Sequence, residues 1–234
     1  MEQYSFKIVT VGLIPFSEDH LKHISINLGI EPNKIITIDS KKRLMIRDQD
    51  KELKIYERSK NAFEEYSGAL ECEYIIINPY GEDDKKAWEN RIWGVQLVID
   101  QFIAIITKYK NQKILLVLTG PSCIGKGPLE NIFFNEIIKK EKLNVGKCVL
   151  YVDKTERPIR ENESEGNPYY FTTLDDIEYK NTTEPKRFIK FKVRSVYQLL
   201  DLENVKMLLD ENDIVFLEVF YSAIPLLRNL VYEL

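Results

Sequence analysis

Seven residues constrain this chain more than the rest of it: Gly120-Pro121-Ser122-Cys123-Ile124-Gly125-Lys126, a G-x-x-x-x-G-K run. The run follows directly on Lys113 to Leu118, a nearly continuous apolar stretch of the kind that forms a strand buried on both faces of a parallel sheet. It directly precedes Leu129 to Lys142, which reads as a helix. A loop in that position can fold so that its backbone N–H groups converge on an anion. The helix terminus then adds partial positive charge, and Lys126 neutralises the outer phosphates. Glycine is needed where a side chain would block the phosphate. The alternative is a tight strand-to-helix turn with an incidental lysine, and the two flanking elements favour a nucleotide-phosphate site over Gly120, Pro121, Ser122, Cys123, Ile124, Gly125, Lys126 and Gly127. The Ser or Thr that usually follows the lysine and supplies a hydroxyl to Mg2+ is replaced by Gly127, and Pro128 comes next. Proline is tolerated in a first helical turn, yet its missing N–H is one that could have faced a phosphate. Phosphate binding survives these changes, while metal-assisted catalysis is weakened by them.

The remaining composition narrows the field. At 44% hydrophobic and 30% charged, 234 residues fit a globular chain of one large or two small domains, which excludes a disordered, collagenous or disulfide-scaffold protein. Lys plus Arg number 33 against 37 Asp plus Glu, so a net charge of -4 gives no global pull toward nucleic acid or anionic lipid. Cys72, Cys123 and Cys148 are odd in number and lack C-x-x-C spacing, which suits reduced thiols in a cytoplasmic protein. No apolar run approaches a membrane span, and the first residues lack the pattern of a secretory signal.

Along the chain, Phe6 to Ile14 reads as a strand, followed by a helix with Leu21, Ile24 and Leu28 on one face. Lys34 to Ile38 reads as a second strand. Leu44, Ile46, Leu53 and Ile55 alternate with charged residues around Asp48-Gln49-Asp50 as in a solvated hairpin. Eight Lys and Arg between Lys41 and Lys60 are interspersed with acids, so they read as a wet face and not as a nucleic-acid site. Glu73 to Asn78 is a third strand. Asp84 to Tyr109 reads as one long helix with a core stripe of Trp88, Ile92, Val95, Ile99, Phe102 and Ile106. A domain boundary falls near Asn111. Beyond the loop helix, Lys147 to Val152 reads as a strand and Ser164 to Tyr179 as mostly loop with short strands. Arg187 to Val193 reads as an exposed strand, Val205 to Asp210 as part of a helix, and Asp213 to Val219 as a buried strand.

A second constellation runs from Thr155 to Phe171. Together with the Gly-Pro-Ser-Cys-Ile-Gly-Lys-Gly loop it resembles the guanylate kinase family, in which T-x-R-x-P-R-x-G-E-x-x-G-x-x-Y-x-F follows the phosphate loop. Arg157, Arg160, Glu163, Gly166, Tyr169 and Phe171 fall on that pattern, while Ile159 and Asn162 depart from its Pro and Gly. The resemblance implies that Arg157, Arg160 and Tyr169, with Glu163 beside them, hold the phosphate of an acceptor nucleoside monophosphate. Two guanidinium forks and a phenol suit a dianionic phosphate independently of that likeness. The competing reading is a surface loop in which the arginines pair with adjacent glutamates. The implied fold is α/β: a P-loop parallel-sheet nucleotide-kinase core over residues 112–234, preceded by a smaller α/β N-terminal domain of unknown role over residues 1–111.

The departures from the family matter as much. Lys190 stands where the family has a glutamate that recognises guanine, and a cation cannot accept the guanine N–H donors, so GMP is in doubt as the acceptor. Glu218, near the end of a buried strand, is the candidate for orienting Mg2+ or its waters; a strand end reaching solvent is the alternative. The family continues with another core strand and an arginine-bearing lid, whereas this sequence stops at Leu234. The reading is therefore either a fragment or an incomplete kinase half completed by a protein partner or a further chain. The function expected is transfer of the ATP γ-phosphoryl group to a nucleoside monophosphate or related acceptor, with ATP and Mg2+ as cofactors. A catalytically impaired binding, scaffold or nucleotide-sensing module is the alternative. His20 and His23 lie one helical turn apart near Glu18 and Asp19 without a third ligand, and Cys123 inside the loop reads as an oxidation-sensitive spot.

Overall fold

The computed structural model describes residues 6–47, 52–82, 84–157, 159 and 163–230. The chain is α/β, and by its internal contacts it divides into two compact units. One comprises Val9–Lys110 with Leu118–Leu143; the other comprises Met1–Ile8, Asn111–Val117 and Asn144–Leu234.

The first unit starts in strand β1 (Lys7–Ile14), apolar and buried beyond its first residue. Helix α1 (Glu18–Leu28) is opened by the Ser17 hydroxyl, which accepts from the His20 N–H, and closed by left-handed Gly29. Leu21 is buried, but Leu28 is exposed, so the predicted face is only partly used. The next segment corrects the sequence reading. Lys34 to Ile38 is not a strand but lies within helix α2 (Pro32–Arg47), and the expected hairpin is α2 followed by α3 (Glu52–Lys60), with residues 48–51 outside the described set. The buried positions explain why: Ile36, Ser40, Arg43 and Leu44 are spaced by three and four, one face of a helix, with Pro32 at its first position. Leu44 and Ile55 form an apolar cluster with Cys123. Helix α4 (Ala62–Leu70) packs Ala62, Tyr66 and Ala69 against Ile14, Leu21, Ile35 and Ile36. Strand β2 (Tyr74–Ile77) pairs parallel with β1. The long helix expected from Asp84 to Tyr109 is two, α5 (Lys85–Glu89) and α6 (Trp93–Thr107), interrupted at Arg91, whose φ is 46°. Val95, Ile99, Phe102 and Ile106 form the buried stripe as expected, whereas Ile92 at the break is exposed. Strand β3 (Ile114–Thr119), buried throughout, leads into α7 (Lys126–Ile132), which continues through a π-helical turn (Phe133–Ile137) into α8 (Ile138–Glu141). Phe102 and Phe133 meet edge to face at 5.5 Å between ring centroids.

In the other unit the apolar run at Lys147 to Val152 resolves into two strands of different sheets, β4 (Val145–Lys147) and β5 (Leu150–Asp153). Then come β6 (Ser164–Glu165), β7 (Pro168–Thr172), α9 (Leu174–Thr183), β8 (Phe188–Val193), β9 (Val196–Asp201), α10 (Leu202–Glu211), β10 (Ile214–Glu218) and, after a short 3-10 turn, α11 (Ile224–Leu230). Helix α9 begins inside the stretch read as loop; its Thr173 hydroxyl caps the Asp176 N–H, and Ile177 packs on Phe188 and Leu199. Strand β9, absent from the sequence reading, pairs antiparallel with both β5 and β8. Asp201 ends it and caps α10, while both its carboxylate oxygens accept from Arg187 at 3.0 and 2.8 Å.

Two five-stranded sheets result, ordered β2-β1-β3-β10-β4 and β6-β7-β5-β9-β8. In the first, β1 with β2 and β10 with β4 are parallel pairs. The phosphate-loop strand β3 is its central member, and β1 and β2 come from the first 77 residues.

Candidate functional site

The phosphate loop is shaped by backbone that only certain residues adopt. Gly120 has φ 149°, and a Cβ there would lie 2.2 Å from the Leu13 carbonyl oxygen, so the strand end and the loop start approach too closely for any side chain. Cys123 and Gly125 have φ of 63° and 92°; a Cβ on Gly125 would meet the Trp88 ring at 2.5 Å and the Asn78 amide nitrogen at 2.6 Å. The Lys126 side chain, 9% exposed, folds back over the loop and donates to the Gly120 and Pro121 carbonyl oxygens at 2.9 and 3.0 Å.

Residues that sequence reasoning missed complete this loop. Asn78, fully buried at the end of β2, donates from Nδ2 to the Ile124 carbonyl at 2.6 Å and the Tyr80 carbonyl at 2.7 Å, and its Oδ1 accepts from the Tyr80 N–H at 3.1 Å. The Glu82 N–H donates to the Cys123 carbonyl at 3.1 Å, and the Trp88 indole N–H fixes the same segment through the Gly81 carbonyl at 2.9 Å. A Cβ on Gly127 would lie 3.8 Å from Glu82 Oε1, so a carboxylate borders the position that lacks a hydroxyl. From α4, Glu65 Oε2 accepts the Ser122 N–H at 2.8 Å, and Glu65 is 2% exposed. Cys123 is buried beside Leu44 and Ile55, which removes it from solvent and corrects its reading as an oxidation-sensitive spot.

The segment that carries Arg157, Glu163 and Tyr169 belongs to the other unit. Arg157 makes a two-pronged pair with Glu163, at 2.9 and 2.5 Å, and its guanidinium lies 4.7 Å from the centre of the Tyr169 ring. The pairing with a glutamate is what the surface-loop reading foresaw, although Arg157 and Glu163 are largely buried. Burial raises the Tyr169 phenol above the usual tyrosine range. The charge of Glu218 adds to that rise, while Arg157 and a hydrogen bond with Gln198 oppose it. Arg157, Glu163, Tyr169, Gln198 and Glu218 therefore form one electrostatic neighbourhood, with Glu218 half-buried at the end of β10. Gly166 takes a left-handed φ of 78°, and its N–H donates to the Tyr169 carbonyl at 2.9 Å, which closes the turn that presents the phenol. Asp153, at the start of the segment, is fully buried; its Oδ1 accepts from the Thr155 N–H and hydroxyl, and its Oδ2 has no hydrogen-bond partner among the described residues. Arg160 lies outside the described residues.

Lys190 donates to both carboxylate oxygens of Glu178 on α9 at 2.8 Å and sits 5.3 Å from the Tyr197 ring centre. His20 packs edge-on against Phe16, and His23 bonds Asn27; no group of three or more His, Cys, Asp or Glu able to hold a metal occurs among the described residues. No described helix is long and apolar enough to cross a membrane.

A loop amide array with a lysine at its rim can hold phosphate oxygens, and an arginine–tyrosine pair can hold a second phosphate. The guanylate kinase of Sulfurimonas denitrificans is 32% identical over 106 residues, covering 45% of this chain and 47% of that protein. The guanylate kinase of Prochlorococcus marinus is 39% identical over 82 residues, covering 35% and 39%, and that of Mycoplasmopsis synoviae is 32% identical over 129, covering 53% and 59%. The chain thus spans about half the length of the curated relatives it matches. A crystal structure of guanylate kinase from Anaplasma phagocytophilum aligns with TM-score 0.34 and 18% identity over 42% of this chain and 50% of that one. A family model described as guanylate kinase matches residues 112–233, and through that segment the chain belongs to the guanylate kinase family.

Proposed function

We propose that this chain is a guanylate kinase-like phosphotransferase that moves the γ-phosphoryl group of ATP to a nucleoside monophosphate or related phosphate acceptor. The observation that carries the reading is the buried Lys126 enclosed by the loop of residues 120–127, whose backbone is bent through Gly120, Cys123 and Gly125. In this reading the loop amides and Lys126 bind the donor phosphates, and Arg157, Arg160 and Tyr169 orient the acceptor phosphate while Glu163 positions Arg157. An acceptor phosphate oxygen forms the new bond to the γ-phosphorus as the bond to the leaving ADP oxygen breaks. The half-buried carboxylate of Glu218, amid Arg157 and Tyr169, is a fitting oxygen donor for Mg2+, which when bound with ATP supplies charge neutralisation at the phosphates. Residues 112–234 carry both nucleotide-handling motifs, and residues 1–111 supply β1, β2 and the side chains that brace the loop. A cytoplasmic setting, read from the reduced cysteines, belongs to the same proposal.

A second reading, a nucleotide-binding or sensing module without turnover, is favoured by one specific feature: Gly127 lacks the hydroxyl that reaches Mg2+ in catalytic loops. Transfer of label from γ-labelled ATP to a panel of purine and pyrimidine monophosphates separates the two. The kinase reading predicts a labelled diphosphate, lost in Lys126→Ala and strongly reduced in Arg160→Ala. ATP binding without transfer to any acceptor selects the second reading, and transfer that persists undiminished in Lys126→Ala refutes the role given to the loop.

A further inference from the structure

We propose that Glu65 is an intramolecular occupant of the phosphate loop, a carboxylate that holds the Ser122 N–H which a nucleotide phosphate would otherwise take, so that α4 must withdraw before the loop is fully engaged. The inference rests on the reading of residues 120–127 as a phosphate site and adds the device that controls it.

A carboxylate oxygen and a phosphate oxygen are equivalent partners for a backbone N–H, and one amide hydrogen makes one strong bond at a time. The Ser122 amide is committed to Glu65 Oε2 at 2.8 Å. The contact is not an incidental surface touch. Glu65 is 2% exposed, and a carboxylate taken that far from water is costly unless hydrogen-bonded. Its helix is fixed on both sides of it: Ala62, Tyr66 and Ala69 pack into the cluster with Ile14, Leu21, Ile35 and Ile36, and the Tyr66 hydroxyl donates to the Phe16 carbonyl at 3.2 Å. The loop lysine meanwhile is folded onto the Gly120 and Pro121 carbonyls. Two of the loop's donors, the Ser122 N–H and the Lys126 ammonium, are thus bonded to groups of this chain. Phosphate competing for the same N–H meets both the hydrogen bond and the negative charge of Glu65. Its apparent affinity is the intrinsic one multiplied by the fraction of molecules in which α4 has released the loop.

Titration with inorganic pyrophosphate and with ATP, on the parent chain, Glu65→Gln and Glu65→Asp, tests this. Gln keeps the size and an acceptor oxygen but removes the charge, and Asp keeps the charge but draws it back by one methylene. Both ligands should bind about tenfold or more tightly to Glu65→Gln, and Glu65→Asp should also gain affinity. A 13C-carboxyl and 15N-amide NMR experiment on the parent gives a reading that needs no variant: at saturating pyrophosphate the Glu65 carboxyl and Ser122 amide signals should move together as the bond breaks. If the parent binds and Glu65→Gln binds no tighter, or if both signals stay in place at saturation, Glu65 is no competitor and the loop reading alone stands. If parent and folded variants all fail to bind pyrophosphate and ATP, the loop is not an anion site and both readings fall.

Discussion

Removing the Asn78 side chain should unfasten the phosphate loop from β2. Asn78→Ala deletes two donated bonds and one accepted bond, and their surroundings differ. The Ile124 carbonyl is buried, so losing its partner carries the unsatisfied-group cost of about 1–3 kcal/mol. The two Tyr80 bonds are only part-buried, so water replaces the lost partner and each is worth about 0.5–1.5 kcal/mol net. The sum is on the order of 3 kcal/mol, a large share of the roughly 5–15 kcal/mol by which a domain is stable. Asn78→Asp is the sharper variant. It has the same shape, but it puts an acceptor oxygen where Nδ2 stands 2.6 and 2.7 Å from two carbonyl oxygens, so it should cost more than the alanine. Urea unfolding followed by tryptophan fluorescence is a suitable assay, because Trp88 is buried and bonded to the Gly81 carbonyl beside this contact. An alanine variant within about 0.5 kcal/mol of the parent, or an aspartate variant as stable as the alanine one, would refute the clamp.

Two further outcomes follow from charges that the fold has already committed. Lys190→Glu sets a second carboxylate against Glu178, so it should lower the melting temperature, and adding Glu178→Lys should restore it; because the pair is partly solvated, the single variant should cost only about 1 kcal/mol, and no melting change would show that the pair is idle. Burial, reinforced by Asp201, pushes the Cys148 thiol up from 9.0 to about 12. Below pH 9 both folded and unfolded chains keep this proton, whereas between pH 9 and about 12 the unfolded chain alone releases it, so stability should fall through that window. Cys148→Ala should flatten the alkaline slope in pH-dependent urea unfolding, and an unchanged slope would place the loss elsewhere.

The parts of the molecule legible in the sequence are those whose signal is local. The apolar run ahead of Gly120, the glycine spacing to Lys126 and the buried strand before Glu218 each announce themselves within a few residues, and each forms where expected. The segment from Lys34 to Ile55 misleads because its apolar residues are sparse and separated by charges. Alternation over a few residues suits a strand as well as a helix, and only the burial of Ser40 and Arg43 on the Ile36 face settles the period. Arg43 is buried because Asp39 and the Pro79 carbonyl accept its bonds, the second of these being 36 residues away. Long separation also hides the loop's partners: Glu65 reaches Ser122 across 57 positions and Asn78 reaches Ile124 across 46. The motif around Arg157 and Tyr169 shows a different gap. Its spacing singles out Arg157 and Tyr169, and the pairing of Arg157 with Glu163 is local, but the hydrogen bond of Gln198 with Tyr169 depends on β9, which pairs with β5 and carries no turn signal strong enough to announce it.

Binding of nucleotide phosphate by the loop of residues 120–127 through Lys126 is tested by calorimetric titration of ATP with Mg2+ into the parent chain and into folded Lys126→Ala. The parent should show one saturable site and the variant an affinity weaker by about tenfold or more, the loss of a charge-assisted contact. Equal affinity in the two proteins, or no binding by either the parent or Glu65→Gln, would contradict it.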